Sequence, residues 1–161
     1  MHASEKQTAQ GSATRAQPRE SNWLLRRASP ADYAWLVSTS ERVTLGVGQI
    51  LAEPGQPYDH VFFPDTCVLS LVARAREGGS IEAGTVGKEG MAGLSVFLDA
   101  GAMPGTTMMT QVGGTADRIA AGLFADGVAQ RPGLQRLLRR YTHAFLAQVA
   151  QTVVCNRMHP L

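Results

Sequence analysis

Few side chains in this sequence stand where they could do covalent or metal chemistry. His60 lies alone in an apolar stretch with no His-x-His partner, and the next histidine, His143, falls in a long helical segment. Holding a divalent ion takes several converging His, Cys or carboxylate ligands. Neither histidine predicts such a site, and neither has the surroundings that would single it out as an axial haem ligand. Cys67 and Cys155 are the only cysteines. They are too few for an iron–sulfur cluster and too far apart for a zinc knuckle, so both are expected as reduced thiols. Asp65 and Glu82 read as turn or edge carboxylates rather than as an acid–base pair. The chain has no nucleophile elbow and no Gly-Lys-Ser/Thr loop to cradle phosphate. No catalytic residue, metal or cofactor is predicted, and the chain is not expected to be an enzyme.

Charge is the next candidate. The 161 residues carry a net +2, with 15 Lys and Arg against 13 Asp and Glu. Residues 1–126 hold 10 bases and 13 acids, while residues 127–161 hold Arg131, Arg136, Arg139, Arg140 and Arg157 with no acid. Such a run can bind nucleic acid. Without interleaved aromatics or a Gly-rich contact motif it reads first as a solvated helix face. No apolar run approaches the ~20 residues of a membrane span, and the first residues have no signal-peptide core. A cytoplasmic location without membrane contact is expected.

The elements that must position these groups form one domain. Residues 1–20 have no large apolar side chain after Met1 and are expected as a disordered tail. A helical turn is expected at Asn22-Trp23-Leu24-Leu25. Ser29-Pro30-Ala31-Asp32 then opens a helix, with Ser29 as cap, Pro30 at the first position and Asp32 at the positive end. From Arg42 to Ile119 the pattern changes to short strands and turns. Pro54-Gly55 fits a type II turn. Glu77-Gly78-Gly79-Ser80 reads as one hairpin, and Gly113-Gly114, between Met108–Val112 and Thr115–Ile119, as a second. These strands predict a mainly β roll, sandwich or small barrel. After a short helix from Ala120 to Val128, Pro132 opens a long one with apolar residues Leu134, Leu138, Tyr141, Phe145, Val149 and Val153 on one stripe. At 1.5 Å per residue such a helix overhangs a small β domain. The stripe is therefore expected to be covered by a second copy, giving a homodimer interface through those six residues.

Several stretches, in this order, resemble the sensor half of Crp/Fnr-type bacterial transcription regulators. They are Gly48-Gln49-Ile50-Leu51-Ala52-Glu53-Pro54-Gly55, Asp59-His60-Val61-Phe62-Phe63-Pro64, Val68-Leu69-Ser70-Leu71-Val72, Val86-Gly87-Lys88-Glu89-Gly90-Met91-Ala92-Gly93-Leu94 and Leu146-Ala147-Gln148-Val149-Ala150-Gln151-Thr152. The resemblance covers residues 23–161 and implies an eight-stranded cyclic-nucleotide-binding-like jelly roll at 21–130. A dimerisation helix follows at 131–161, ending at a hinge-like Cys155-Asn156-Arg157-Met158-His159-Pro160-Leu161. It further implies that DNA is bound through a C-terminal helix-turn-helix that these residues do not include. The chain is thus expected either as the sensor part of a longer regulator or as a stand-alone module forming dimers, or mixed dimers with full-length relatives.

Nucleotide-binding members of that family carry a Gly-Glu-Leu cassette whose Glu holds the ribose, followed by an Arg that neutralises the cyclic phosphate. The resemblance aligns Ala92-Gly93-Leu94 with the cassette, so Gly93 replaces the carboxylate, and it aligns the Arg with Thr106 or Thr107. Glu89 and Gly90 complete the implied degenerate site, with Lys88 and Glu89 on the wrong side of the cassette to help. Burying a phosphodiester with no cation costs several kcal/mol. Cyclic AMP and cyclic GMP are therefore not expected to bind, which leaves room for an unknown small-molecule effector or none.

Overall fold

A computed structural model of the chain describes residues 22–74, 79–99 and 103–158, with side chains up to Thr152. The tail expected at 1–20 lies outside the described residues, as do Cys155 and Val153 at the level of their side chains.

The chain enters through Asn22, a buried amide that ties three segments together. Its Nδ2 donates to the carbonyls of Pro64 and Gly90, both at 2.8 Å, and its Oδ1 accepts from the Leu24 and Leu25 amides. A 3-10 turn at Leu25–Arg27 leads to α1 (Pro30–Thr39). Its start is built as its residues require: the Ser29 hydroxyl accepts from the Asp32 amide, and Pro30 occupies the first turn.

Among the described residues the β region forms two antiparallel sheets from seven strands. One sheet places β7 (Gly114–Ala120) between β1 (Glu41–Leu45) and β3 (His60–Pro64). The other runs in the order β2 (Ile50–Ala52), β6 (Thr107–Val112), β4 (Val68–Arg74) and β5 (Ser80–Val86). An isolated bridge of Ala92 to Phe62 adds one further pairing to the seven strands. It does not extend, because Gly93 turns the chain away with φ +88°. β4 and β5 pair antiparallel, with Arg74 opposite Ser80, while Glu77 and Gly78 of the expected hairpin loop lie outside the described residues. Gly55 adopts φ +78°, as a type II turn at Pro54-Gly55 demands.

The second expected hairpin does not form. β6 and β7 are consecutive, but they lie in different sheets, so Gly113-Gly114 is a crossing between layers. Any Cβ on Gly114 would fall 2.6 Å from Thr66 Oγ1 and 2.7 Å from the Cys67 amide. That packing of backbone on backbone is the reason for glycine there.

Two cores result. Val61, Phe63 and Ile119 point from the first sheet toward the helices, where they meet Leu36, Phe124, Val128, Leu134 and Leu138. Phe62, Leu45 and Ala116 point the other way, against Leu69, Val86 and Met108 of the second sheet. Strand β3 is therefore buried on both faces, which explains an unbroken apolar run where a one-faced strand would alternate. At the edge of the first sheet, the Arg42 guanidinium is shared between Asp65 and Asp117 and also reaches Thr115 Oγ1. Glu82 accepts from Ser70 and Gln111 across the second sheet.

α3 (Ala121–Ala129) and α4 (Pro132–Met158) close the domain. Gly127 of α3 lies flush against the Trp35 ring of α1, where a Cβ would overlap the indole. α4 is 27 residues, about 40 Å long. Its first turns are not available to a partner: Leu134 and Leu138, expected at a dimer interface, are 2% and 1% exposed within the protomer's own helical core. Tyr141 and Phe145 also pack on the protomer, against the two cores in turn. The periodic stripe is genuine, but the roll covers most of it.

Cys67 sits in the inter-sheet core at 2% exposure, and burial pushes its thiol above the ordinary range. In a Cys155→Ser background a thiol reagent should label Cys67 at least ~100-fold more slowly in native buffer than in denaturant. Equal rates would mean that the two sheets open freely.

Candidate functional site

The stretch Glu89–Leu94 leaves β5, makes its single bridge to β3 and enters α2 (Ser95–Leu98). Gly90 packs so tightly on α4 that a Cβ would overlap the Tyr141 phenol. The Tyr141 hydroxyl donates to the Met91 carbonyl at 3.0 Å, and its ring stacks on Phe145. Burial, helped by the Glu89 charge, pushes the Tyr141 phenol up to about 12. It is therefore a neutral donor at neutral pH. Segment and helix are thus pinned to each other.

Beside this contact lies a pocket of about 260 Å³. Met91, Ala92, Gly93, Leu94 and Ser95 form one wall, and Leu71 and Val86 of the second sheet form another. Gly105 and Thr106 approach from the loop before β6, Tyr58 from the loop before β3, and α4 roofs the space with Thr142, Phe145 and Leu146. Leu98 and Leu146 stand at its mouth, 63% and 62% exposed. Among the described residues, none that lines it carries a formal charge. Tyr58, Ser95 and Thr106, all half-buried, bring three neutral hydroxyls to the lining. Thr142 Oγ1 donates to the Leu138 carbonyl at 2.8 Å.

Of the seven residues expected at a degenerate cassette, Ala92, Gly93, Leu94 and Thr106 meet at this pocket. The other three do not. Glu89 turns back to accept from the Gly87 amide at 2.7 Å, and Gly90 contacts α4 instead. Thr107, next along the strand, faces a separate groove with Glu53 and Arg74, so of the two threonines only Thr106 reaches the pocket. Gly93 leaves no space for a larger residue without rearrangement: its Cβ would sit 3.1 Å from Val61, on top of the positive φ. The pocket also recruits Tyr58, Thr142, Leu71 and Val86, which the sequence does not assign to a site, and Phe145, which the sequence suggests for a dimer seam.

Elsewhere, burial and the Arg118 charge hold His60 below the usual histidine range, so it is uncharged at neutral pH. Among the described residues no group of three or more His, Cys, Asp or Glu is placed to hold a metal. No helix among them is long and apolar enough to cross a membrane.

A two-sheet roll followed by a long helix is a fold this chain shares with several solved structures. The N-terminal domain of a transcriptional regulator from Streptomyces coelicolor is similar, with a TM-score of 0.59 at 21% identity, covering 82% of this chain and 92% of that one. The Catabolite Activator Protein of Thermus thermophilus is similar with a TM-score of 0.65 at 11% identity. That match covers 82% of this chain but 62% of the Thermus chain, which is longer. A cyclic nucleotide-binding-like protein from Brucella abortus matches at 24% identity with a TM-score of 0.52, over 63% of this chain and 85% of that one. No protein-family model matches the sequence, and no curated protein does.

Proposed function

We propose that this chain is the sensing and dimerisation domain of a Crp/Fnr-type transcription regulator, acting in the cytoplasm, whose pocket does not take a cyclic nucleotide. The observation that carries the reading is the uncharged lining of the cassette pocket. Among the described lining residues, a cyclic phosphate buried there would find no guanidinium or ammonium, and the ribose no carboxylate. An unpaired buried charge costs several kcal/mol, enough to remove a micromolar affinity. Contact with DNA, on this reading, is made by a helix-turn-helix outside these residues.

Dimerisation draws its support from the second half of α4. Leu146, Ala147 and Ala150 are exposed there, while Val149 is half-buried against Gly84. The proposed interface thus keeps Val149 and Val153 and shifts toward the outer face of the helix, away from Leu134 and Leu138. Light scattering should give a dimer at tens of micromolar; a monomer there contradicts the interface.

Titration calorimetry with cyclic AMP and cyclic GMP should give no heat of binding up to millimolar ligand. Micromolar binding of either nucleotide overturns the reading of the pocket.

A further inference from the structure

We infer that the pocket beneath α4 binds an uncharged, largely apolar molecule of about two fused rings that carries a hydroxyl or similar neutral polar group. This rests on the reading of the pocket as an effector site and names the chemical class of the effector.

Three observations converge. The first is size. An apolar cavity of ~150 Å³ accepts benzene, so about 260 Å³ has room for roughly one ring more. The second is chemistry. Leu71, Val86, Met91, Leu94 and Phe145 make an apolar body for the site, and no described lining residue is charged. Any ion entering it would exchange water for hydrocarbon with no counter-charge. The third is the set of half-buried hydroxyl-bearing residues Tyr58, Ser95 and Thr106, brought to the lining from three separate segments. A few neutral polar groups around an apolar cleft are what fix the orientation of a neutral ligand. The space is a concave pocket already roofed by this protomer's own Thr142, Phe145 and Leu146. A second copy of the chain would meet the outer face of that roof and would not enter beneath it.

The test compares two probes with the same ring system, 2-naphthol, neutral at pH 7, and 2-naphthoate, anionic at pH 7, by titration calorimetry on the full chain. 2-Naphthol should bind with a Kd on the order of tens of micromolar, and 2-naphthoate at least about tenfold more weakly. Two variants locate the site. Thr106→Arg supplies the missing cation at the pocket and should reverse the preference in favour of 2-naphthoate. Gly105→Phe adds bulk at a lining position where a Cβ meets nothing within 4 Å. It should keep the circular dichroism spectrum of the parent chain and weaken 2-naphthol at least about tenfold. Equal or tighter binding of 2-naphthoate by the parent chain overturns the inference. So does 2-naphthol binding that neither variant changes, because the probe then sits elsewhere. If neither naphthalene binds while cyclic nucleotides are also silent, this inference falls and the regulator reading stands. If cyclic AMP binds at micromolar concentration, the regulator's pocket reading is what fails.

Discussion

Phe124→Ala should cost the domain about 3–5 kcal/mol, the range found when a fully buried aromatic is truncated. Phe124 is 0% exposed and projects from α3 into the space between the helices and the first sheet. There it meets Phe63 edge to face, with ring centroids 6.0 Å apart. Truncation removes the transfer free energy of the ring, leaves a cavity whose walls are held by two layers, and deletes an aromatic pair worth about 0.5–1.5 kcal/mol beyond its area. Against a total stability of about 5–15 kcal/mol for a domain this size, that is roughly a fifth of the whole at the least. Urea denaturation should show a lower midpoint with an unchanged slope. The neighbouring Leu123, 48% exposed, is the control, and Leu123→Ala should stay within about 0.5 kcal/mol of the parent. A loss below about 1 kcal/mol for Phe124→Ala would mean that α3 is not seated as described.

Leu138→Ala should cost about 2–5 kcal/mol, and that loss should persist at dilutions where any dimer has dissociated. This residue separates two accounts of α4. A residue at a seam between copies is exposed in the free protomer, and truncating it weakens association. Leu138 is 1% exposed in a single chain, among Leu134, Val128 and the first sheet, so its removal weakens the protomer itself. The measurement is denaturation of parent and variant over a range of concentrations. A ΔΔG that vanishes on dilution would return Leu138 to the interface.

These two residues also show what can be read from a sequence and what cannot. The 3.6-residue period that marks Leu134, Leu138, Tyr141 and Phe145 as one helical face is local, and α4 runs as that period predicts. What covers the face is not local. A helix too long for its domain suggests a second copy, yet the roll itself takes the first turns. Gly113-Gly114 makes the same point for the sheets. Two glycines between strand-like runs carry the chemistry of a hairpin. Sheet membership is decided instead by the distant partners of β6 and β7, and these lie in different layers.

The pocket divides likewise. Ala92, Gly93, Leu94 and Thr106 were legible because a family pattern places them together. Tyr58, Leu71, Val86 and Thr142 come from four separated segments with no shared spacing, and only the folded chain gathers them. Asn22 and the Arg42–Asp65–Asp117 cluster gave no warning either, since each joins residues more than 20 positions apart. The Ser29 cap, by contrast, needs only its neighbours and was fully readable.

The contact of Tyr141 with Met91 has a mechanical consequence. It sets a fulcrum on α4, because the helix is fastened to the cassette segment at that point. Phe145, over the pocket, lies one turn beyond, a short arm of about 6 Å. Met158, at the far end of the helix, lies about 26 Å beyond. The helix is held a second time beyond the pocket, where Gln148 Nε2 donates to the Thr85 carbonyl at 3.0 Å and Val149 packs on Gly84. A displacement above the pocket is therefore carried into β5, the edge strand of the second sheet, before it reaches the tip of the helix.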